Sequence, residues 1–256
     1  MTGNLNTGVG PVHPHRHWQY VWLPLLGAAV WFGMLWAMLI VWLAKGRPRY
    51  VTQEGSIAYI SDVGASGLKP LFIVGCAITA LCFFLSLVVE RFFRHTGRLV
   101  GHMHRRETVL GTLAMLGSFI GGLGLLLLSI FDTKRHTSAH RAFLLVFIVG
   151  VALSAIFTIV EYRWLSKDFA EARKLRHAYV AKAVIALTLI CLAIAFGITL
   201  YSSTEAGAVL EWVIAFGFTF YLLTFFYDLR LSKGIADGEL TREKIREHPS
   251  LVHGRV

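Results

Sequence analysis

"AFLLVFIVGVALSAIFTIV", residues 142–160, carries no charged side chain and no proline. A helix needs about 20 consecutive apolar residues to cross the hydrocarbon core of a bilayer, and within lipid it must satisfy its own backbone hydrogen bonds. With its flanks the stretch predicts a membrane span over Ala142–Trp164. Five more runs of this kind lie along the chain, at Val21–Ala44, Leu71–Phe93, Val109–Phe131, Tyr179–Tyr201 and Ala208–Tyr227. Together they predict an all-α polytopic membrane protein, a six-helix bundle. Residues 1–20 read as an N-terminal tail, 21–228 as one six-span membrane domain, and 229–256 as a charged C-terminal tail.

The composition points the same way. Of 256 residues, 55% are hydrophobic and 16% charged, against about 25% charge in soluble domains; mean hydropathy is +0.61. The first run follows Arg16 but is too long for a signal sequence. It is rich in tryptophan (Trp22, Trp31, Trp36, Trp42) and no small-x-small cleavage site follows, so it reads as a retained span. The formal charge of +10 gathers at span ends instead of on a soluble face with interleaved aromatics, which excludes nucleic acid as a partner. Cys76, Cys82 and Cys191 all fall within spans, so no disulfide framework is implied. No Asn-x-Ser/Thr acceptor marks an outer loop. The GxxxxGK, HExxH, GxSxG and CxxC patterns are absent, and no cofactor is called for.

The positive-inside rule weighs Lys and Arg in short flanking loops. With six spans the termini share a side, and that side holds 18 of these residues, Lys182 among them, against 7 on the other. Both termini are therefore expected in the cytosol. The first outer connection, ending in "IAYISDVGASGLKP" (57–70), is about 25 residues long against the usual 4–6, which makes it a candidate for function.

Within the third span "LGSFIGGLG" (116–124) places Gly117, Gly121 and Gly124 at i, i+4 and i+7, on one helix face where a neighbouring backbone can approach closely. Gly150 and Ser154 offer a partner face on the fourth span; a homodimer seam is the alternative. At the expected cytosolic ends, Glu90 beside Arg91, Glu161 near Arg163 and Asp228 near Arg230 read as paired interfacial anchors. No charge sits at mid-membrane depth, which disfavours ion-coupled transport, channel activity and voltage sensing. Glu211, about one turn into the last span, is the acid placed to face a cavity.

Two polar segments lie on the expected outer face. In "YISDVGAS" (59–66), Ser61 and Asp62 look like turn chemistry, with Asp62 accepting local backbone N–H bonds and Gly64 supplying a positive φ. In "FDTKRHTSAHRAF" (131–143), Asp132, His136 and His140 are spaced i, i+4 and i+8. On a helix they would share a face, and an acid with two imidazoles can hold zinc, the set used by membrane-embedded lipid hydrolases. Lys134 and Arg135 oppose a cation there, so an interfacial polar network is the favoured reading and no metal is assigned. The alternating His13, His15 and His17 form an unspecific tract. "HMHRRE" (102–107), "KDFAEARKLRHAY" (167–179) and "TREKIREH" (241–248) make a basic cytosolic rim, which attracts anionic lipid by about 1 kcal/mol per residue near the surface.

At Ile60-Ser61-Asp62-x-Gly64, at Phe131-Asp132-Thr133 with the following His140, and at Glu161 the chain resembles the Frag–DRAM–Sfk family of six-helix membrane proteins, over nearly its whole length, and is most similar to the fungal Sfk branch. The resemblance implies a non-enzymatic regulator of plasma-membrane lipid organisation, tied to phosphoinositide 4-kinase complexes, phospholipid asymmetry and sterol retention. Its partners would be anionic inner-leaflet phospholipid, sterol and a phosphoinositide 4-kinase complex. Two other branches imply alternatives: an enzyme or subunit in GPI-anchor lipid remodelling, in the Golgi or ER, and a vacuolar or lysosomal autophagy modulator. The larger GPI-ceramide remodelling relatives carry a further C-terminal region, which points this chain away from that complete activity.

Overall fold

The structure, a computed structural model, describes residues 17–101, 104–168, 173–233 and 235–247. After a 3-10 turn at His17–Trp22 come α1 (Leu23–Ala44), α2 (Ile60–Gly64), α3 (Lys69–His95), α4 (Arg105–Ile130), α5 (Thr137–Asp168), α6 (Arg173–Ser202), α7 (Thr204–Arg230) and α8 (Arg242–Glu247). Among the described residues there is no strand. Six helices, all but α2 and α8, are long and apolar enough to cross a membrane. The bundle is thus six-spanned, as the apolar runs predict.

Several helices overrun those runs, because a span end at the interface can turn polar while its backbone bonds continue. Pro24 and Pro70 lie in the first turns of α1 and α3, where the missing N–H costs nothing. At the start of α4, Glu107 accepts the backbone N–H of His104 at 3.3 Å, a side chain satisfying a helix-end donor.

Each spanning helix packs on its neighbour in the chain, and α7 returns to α1, so the six form a closed ring with an α3–α7 contact across it. The α4–α5 seam is the closest. A Cβ on Gly117, Gly121 or Gly124 would stand 2.9, 2.8 or 2.7 Å from the backbone nitrogen of Ser154, Val151 or Phe147. The three glycines thus face α5 within one chain. Buried aromatics fill the centre: Phe83 meets Phe218, Tyr221 and Phe225 edge-on, and Trp31 donates its indole N–H to the Ala215 carbonyl at 2.7 Å. Outward-facing apolar side chains such as Leu26, Ile40, Leu81, Val184, Ile198 and Phe220 are exposed, as a lipid-facing surface requires.

Both ends of the bundle are strapped. At one end the α1–α3 connection crosses to the start of α7. Ser56 Oγ donates to Glu205 Oε1 at 2.7 Å, Tyr59 OH to the Thr204 carbonyl at 3.0 Å, and Trp212 Nε1 to the Ala58 carbonyl at 2.9 Å. At the other end the chain after α7 folds back on the α3–α4 connection, with Gly238 N–H to Thr96 O and Leu240 N–H to Gly97 O, both 2.8 Å. Ile235, Leu240 and Ile245 are buried there against Val100, Tyr162 and Leu165. The residues just beyond the last span are therefore docked as far as α8.

Candidate functional site

Polar side chains gather at both strapped ends. At the first, α2 presents Asp62 to its own N-terminus: Oδ2 accepts the Tyr59 N–H at 3.1 Å, and Thr52 Oγ1 donates to Oδ1. Burial pushes the Asp62 carboxyl above its ordinary range, and Glu54 adds to this, while Thr52, the Tyr59 N–H and His140 partly oppose it. Ser61 contributes its carbonyl, which receives the Ala65 N–H at 2.9 Å. Gly64 departs from the turn reading. It lies inside α2 and is not among the positive-φ glycines. What excludes a side chain there is the Phe72 ring, 2.6 Å from where a Cβ would be.

The carboxylate of Glu211, on α7, reaches across and accepts the Ile60 N–H at 2.6 Å. It serves as a cap for α2 from a distant part of the chain. Tyr59 is pushed up to about 12, chiefly by burial and then by Glu211, Glu54 and Asp62, so its hydroxyl stays a donor to Thr204.

Asp132 closes the α4–α5 turn. Lys69, the first residue of α3, pairs with its Oδ2, and the Arg135 N–H donates to Oδ1 at 2.8 Å. Burial alone would raise this carboxyl, but Lys69 and Arg135 outweigh burial and hold it below its ordinary value. His140 is buried, with Nδ1 2.8 Å from the Leu128 carbonyl and 3.0 Å from the Phe131 carbonyl. Both partners accept only, so Nδ1 carries the hydrogen. His136 is exposed and its ring meets Phe131 edge-on, centroids 5.5 Å apart. Backbone bonds do run His136 to Asp132 and His140 to His136, yet the three side chains turn to different partners. Among the described residues no group of three His, Cys, Asp or Glu could hold a metal ion.

At the opposite end the acids take partners other than their sequence neighbours. Arg94 Nη2 donates to Glu90 Oε1 at 2.9 Å, and Tyr162 OH to the same oxygen at 2.8 Å. Arg94 Nε lies 3.8 Å from Glu161 Oε1. Asp228 pairs with Lys182, 46 residues away. The Lys182 ammonium also lies 3.9 Å from the centroid of the Phe225 ring and 4.8 Å from that of Tyr162. These side chains, from α3, α5, α6 and α7, are buried. The correction to adjacent-residue pairing has a plain cause: on a helix, neighbours in sequence point about 100° apart, while i and i+4 meet. Gly111 of α4 makes room for the cluster, since a Cβ there would be 2.7 Å from Arg91 Nη1 and 2.9 Å from Glu161 Oε2. Arg163 and Arg230 are exposed.

Thr52, Tyr59, Lys69, Arg94 and Lys182 were missed as members of these clusters. For Lys182 the sequence does hold a signal, a lone base at the start of an otherwise uncharged run. His13 and His15 lie outside the described residues, as do His102 and Phe169–Ala172 of the basic segments.

Comparisons with known proteins give the arrangement its lineage. Residues 19–232 match the family described as Frag1/DRAM/Sfk1/Cwh43P N-terminal domain. Protein sfk1 of Schizosaccharomyces pombe is 30% identical over 231 residues, 90% of this chain and 70% of that protein. Protein SFK1 of Saccharomyces cerevisiae is 30% identical over 190 residues, 62% of this chain and 53% of that protein, so the chain spans about half of it. No solved structure matches. By a match that runs through all six spans, the chain belongs to the Frag1/DRAM/Sfk1/Cwh43P N-terminal domain family.

Proposed function

We propose that this protein is a non-enzymatic regulator of lipid organisation in the plasma membrane, with both termini and the Glu90–Lys182 end in the cytosol. Its partners would be anionic inner-leaflet phospholipid, sterol and a phosphoinositide 4-kinase complex. The observation that carries the reading is how charge is sorted at that end. Glu90, Glu107, Glu161 and Asp228 are drawn into the bundle with Arg94, Arg98 and Lys182, while Arg105, Arg106, Arg163, Arg230, Lys233, Arg242 and Lys244 stay exposed around it and, among the described residues, outnumber the exposed acids Asp237, Glu243 and Glu247. The surface left to meet a membrane face is therefore basic, and such clusters hold anionic head groups. At the opposite end Asp62, Asp132 and His140 are engaged in holding helices and turns together. That use supports a scaffold role over catalysis.

The test is genetic replacement. Cells lacking the protein should show altered phosphatidylinositol 4-phosphate and increased aminophospholipid at the outer leaflet, both restored by the native chain. A chain carrying Arg105→Glu, Arg106→Glu and Arg230→Glu, made in equal amount at the same membrane, should fail to restore them. Full rescue by that variant would refute the reading.

A further inference from the structure

We propose that the cleft between α5 and α6 is a binding site for one hydroxyl-bearing membrane lipid with a single apolar body, such as a long-chain alcohol or a ring-bodied one. The cleft is a cavity of about 400 Å³ bounded by α5, α6 and α7, with Trp31 and Phe72 behind. Leu145, Val149 and Leu153 of α5 and Ile194 of α6 line it and are themselves exposed, so it opens sideways towards the membrane. These two helices also bury the smallest shares of their spans, 22% and 17%.

The lining side chains are apolar save for Glu211 and Tyr221, both on α7. The Glu211 carboxyl stands at one end, accepting the Ile60 N–H and engaging the Ser61 backbone; its two oxygens offer about four hydrogen-bonding sites, so capacity remains. Tyr221 lies ten residues on, its backbone about 15 Å along the helix by its rise. Tyr221 is 1% exposed, and its hydroxyl lies next to Thr158, outside the lining of the cleft. No Lys or Arg lines the cleft.

These features select the ligand. A phosphate head group would meet an acidic side chain and no cation, whereas a neutral hydroxyl can hydrogen-bond to the Glu211 carboxyl. The volume lies at the low end of the roughly 300–1,000 Å³ common for ligand sites, which fits one apolar body better than two chains. A sterol ligand would deepen the regulatory reading above, which counts sterol among its partners, and a linear alcohol would not; labelling is read on the purified protein and the regulatory reading in cells, so either can fail alone.

The test is photoaffinity labelling of the purified full chain in nanodiscs with diazirine–alkyne probes: hexadecanol, hexadecyl phosphate and a sterol with a free hydroxyl. Labelling by at least one hydroxyl probe should saturate and map to α5, α6 or α7 residues of the cleft. Which hydroxyl probe labels identifies the linear or the ring-bodied source. Ala193→Trp, which fills the cleft, should lower that labelling roughly tenfold. Glu211→Gln, which keeps side-chain shape and replaces the carboxyl with an amide, should cut the preference for hydroxyl over phosphate several-fold, the scale of one hydrogen bond. Equal labelling by hydroxyl and phosphate probes in the native chain, labels outside the cleft, or undiminished labelling in Ala193→Trp would each overturn it. If Ala193→Trp does not elute as a monodisperse species, Glu211→Gln decides: an unchanged preference sinks the proposal.

Discussion

Lys182 shows what a single residue does in this protein. Its ammonium is 1% exposed, and an isolated charge so placed would be prohibitively costly. The Asp228 carboxylate and the faces of Phe225 and Tyr162 offset that cost. Breaking such a pair from one side leaves an uncompensated charge, typically worth about 3–5 kcal/mol. Lys182→Met should therefore lower the thermal unfolding temperature in detergent sharply, and Lys182→Met with Asp228→Leu should recover much of the loss. No recovery in the double variant would mean that the pair is not the source. A loop-by-loop tally of bases places Lys182 in the cytosolic rim, because composition does not show which way a side chain turns.

Asp132 behaves differently. Its carboxyl is held below its ordinary value of 3.8, so the pairing with Lys69 stabilises the fold in full above that value. The contribution is lost as pH falls through the lower value of the folded state. The unfolding difference between the native chain and Asp132→Asn should thus stay constant from pH 7 to about pH 5 and shrink only in stronger acid. A difference that vanished by pH 6 would contradict the assigned clamp.

Among the elements, the α4–α5 seam is the one that tolerates least. Gly121 sits against the Val151 backbone and Gly150 against Gly121 in return, so a side chain at either position pushes helix against helix with no rotamer to escape into. Gly121→Leu should destabilise by at least the roughly 1–3 kcal/mol of an overpacked core, read as loss of monodisperse protein on extraction. Leu123→Ala, at an exposed position on the same helix, is the control and should have little effect. The glycine spacing was visible in sequence because a helix repeats every 3.6 residues; which helix it meets was suggested by Gly150 and Ser154. The six spans were legible for a simpler reason, since lipid demands long uncharged runs. By contrast α2 and α8 have five and six residues, too short for any periodicity to announce them. The cap on α2 is supplied by Glu211, some 150 positions later, and no local pattern encodes that.

For the molecule as a whole, the cytosolic placement of both termini has a direct test. In a background lacking the exposed Cys191, Val51→Cys and Glu243→Cys place thiols at exposed positions on opposite ends. An impermeant maleimide should label Val51→Cys in intact cells and Glu243→Cys only after permeabilisation; the reverse pattern would invert the orientation. Ring closure, unlike span number, was not readable from composition, because it depends on α7 meeting α1 through contacts such as Trp31 to Ala215. The strap over the α7 start carries a consequence for how relatives of this protein should diverge. Apart from Ser56 on Glu205, its side chains grip main-chain atoms: Trp212 holds the carbonyl of residue 58 and Tyr59 that of residue 204, while Glu211 holds the amide of residue 60. Mutation over evolutionary time can replace Thr204 without disturbing that grip and is limited at Ala58 only by size, whereas Trp212, Tyr59 and Glu211 are the letters that descent should leave unaltered.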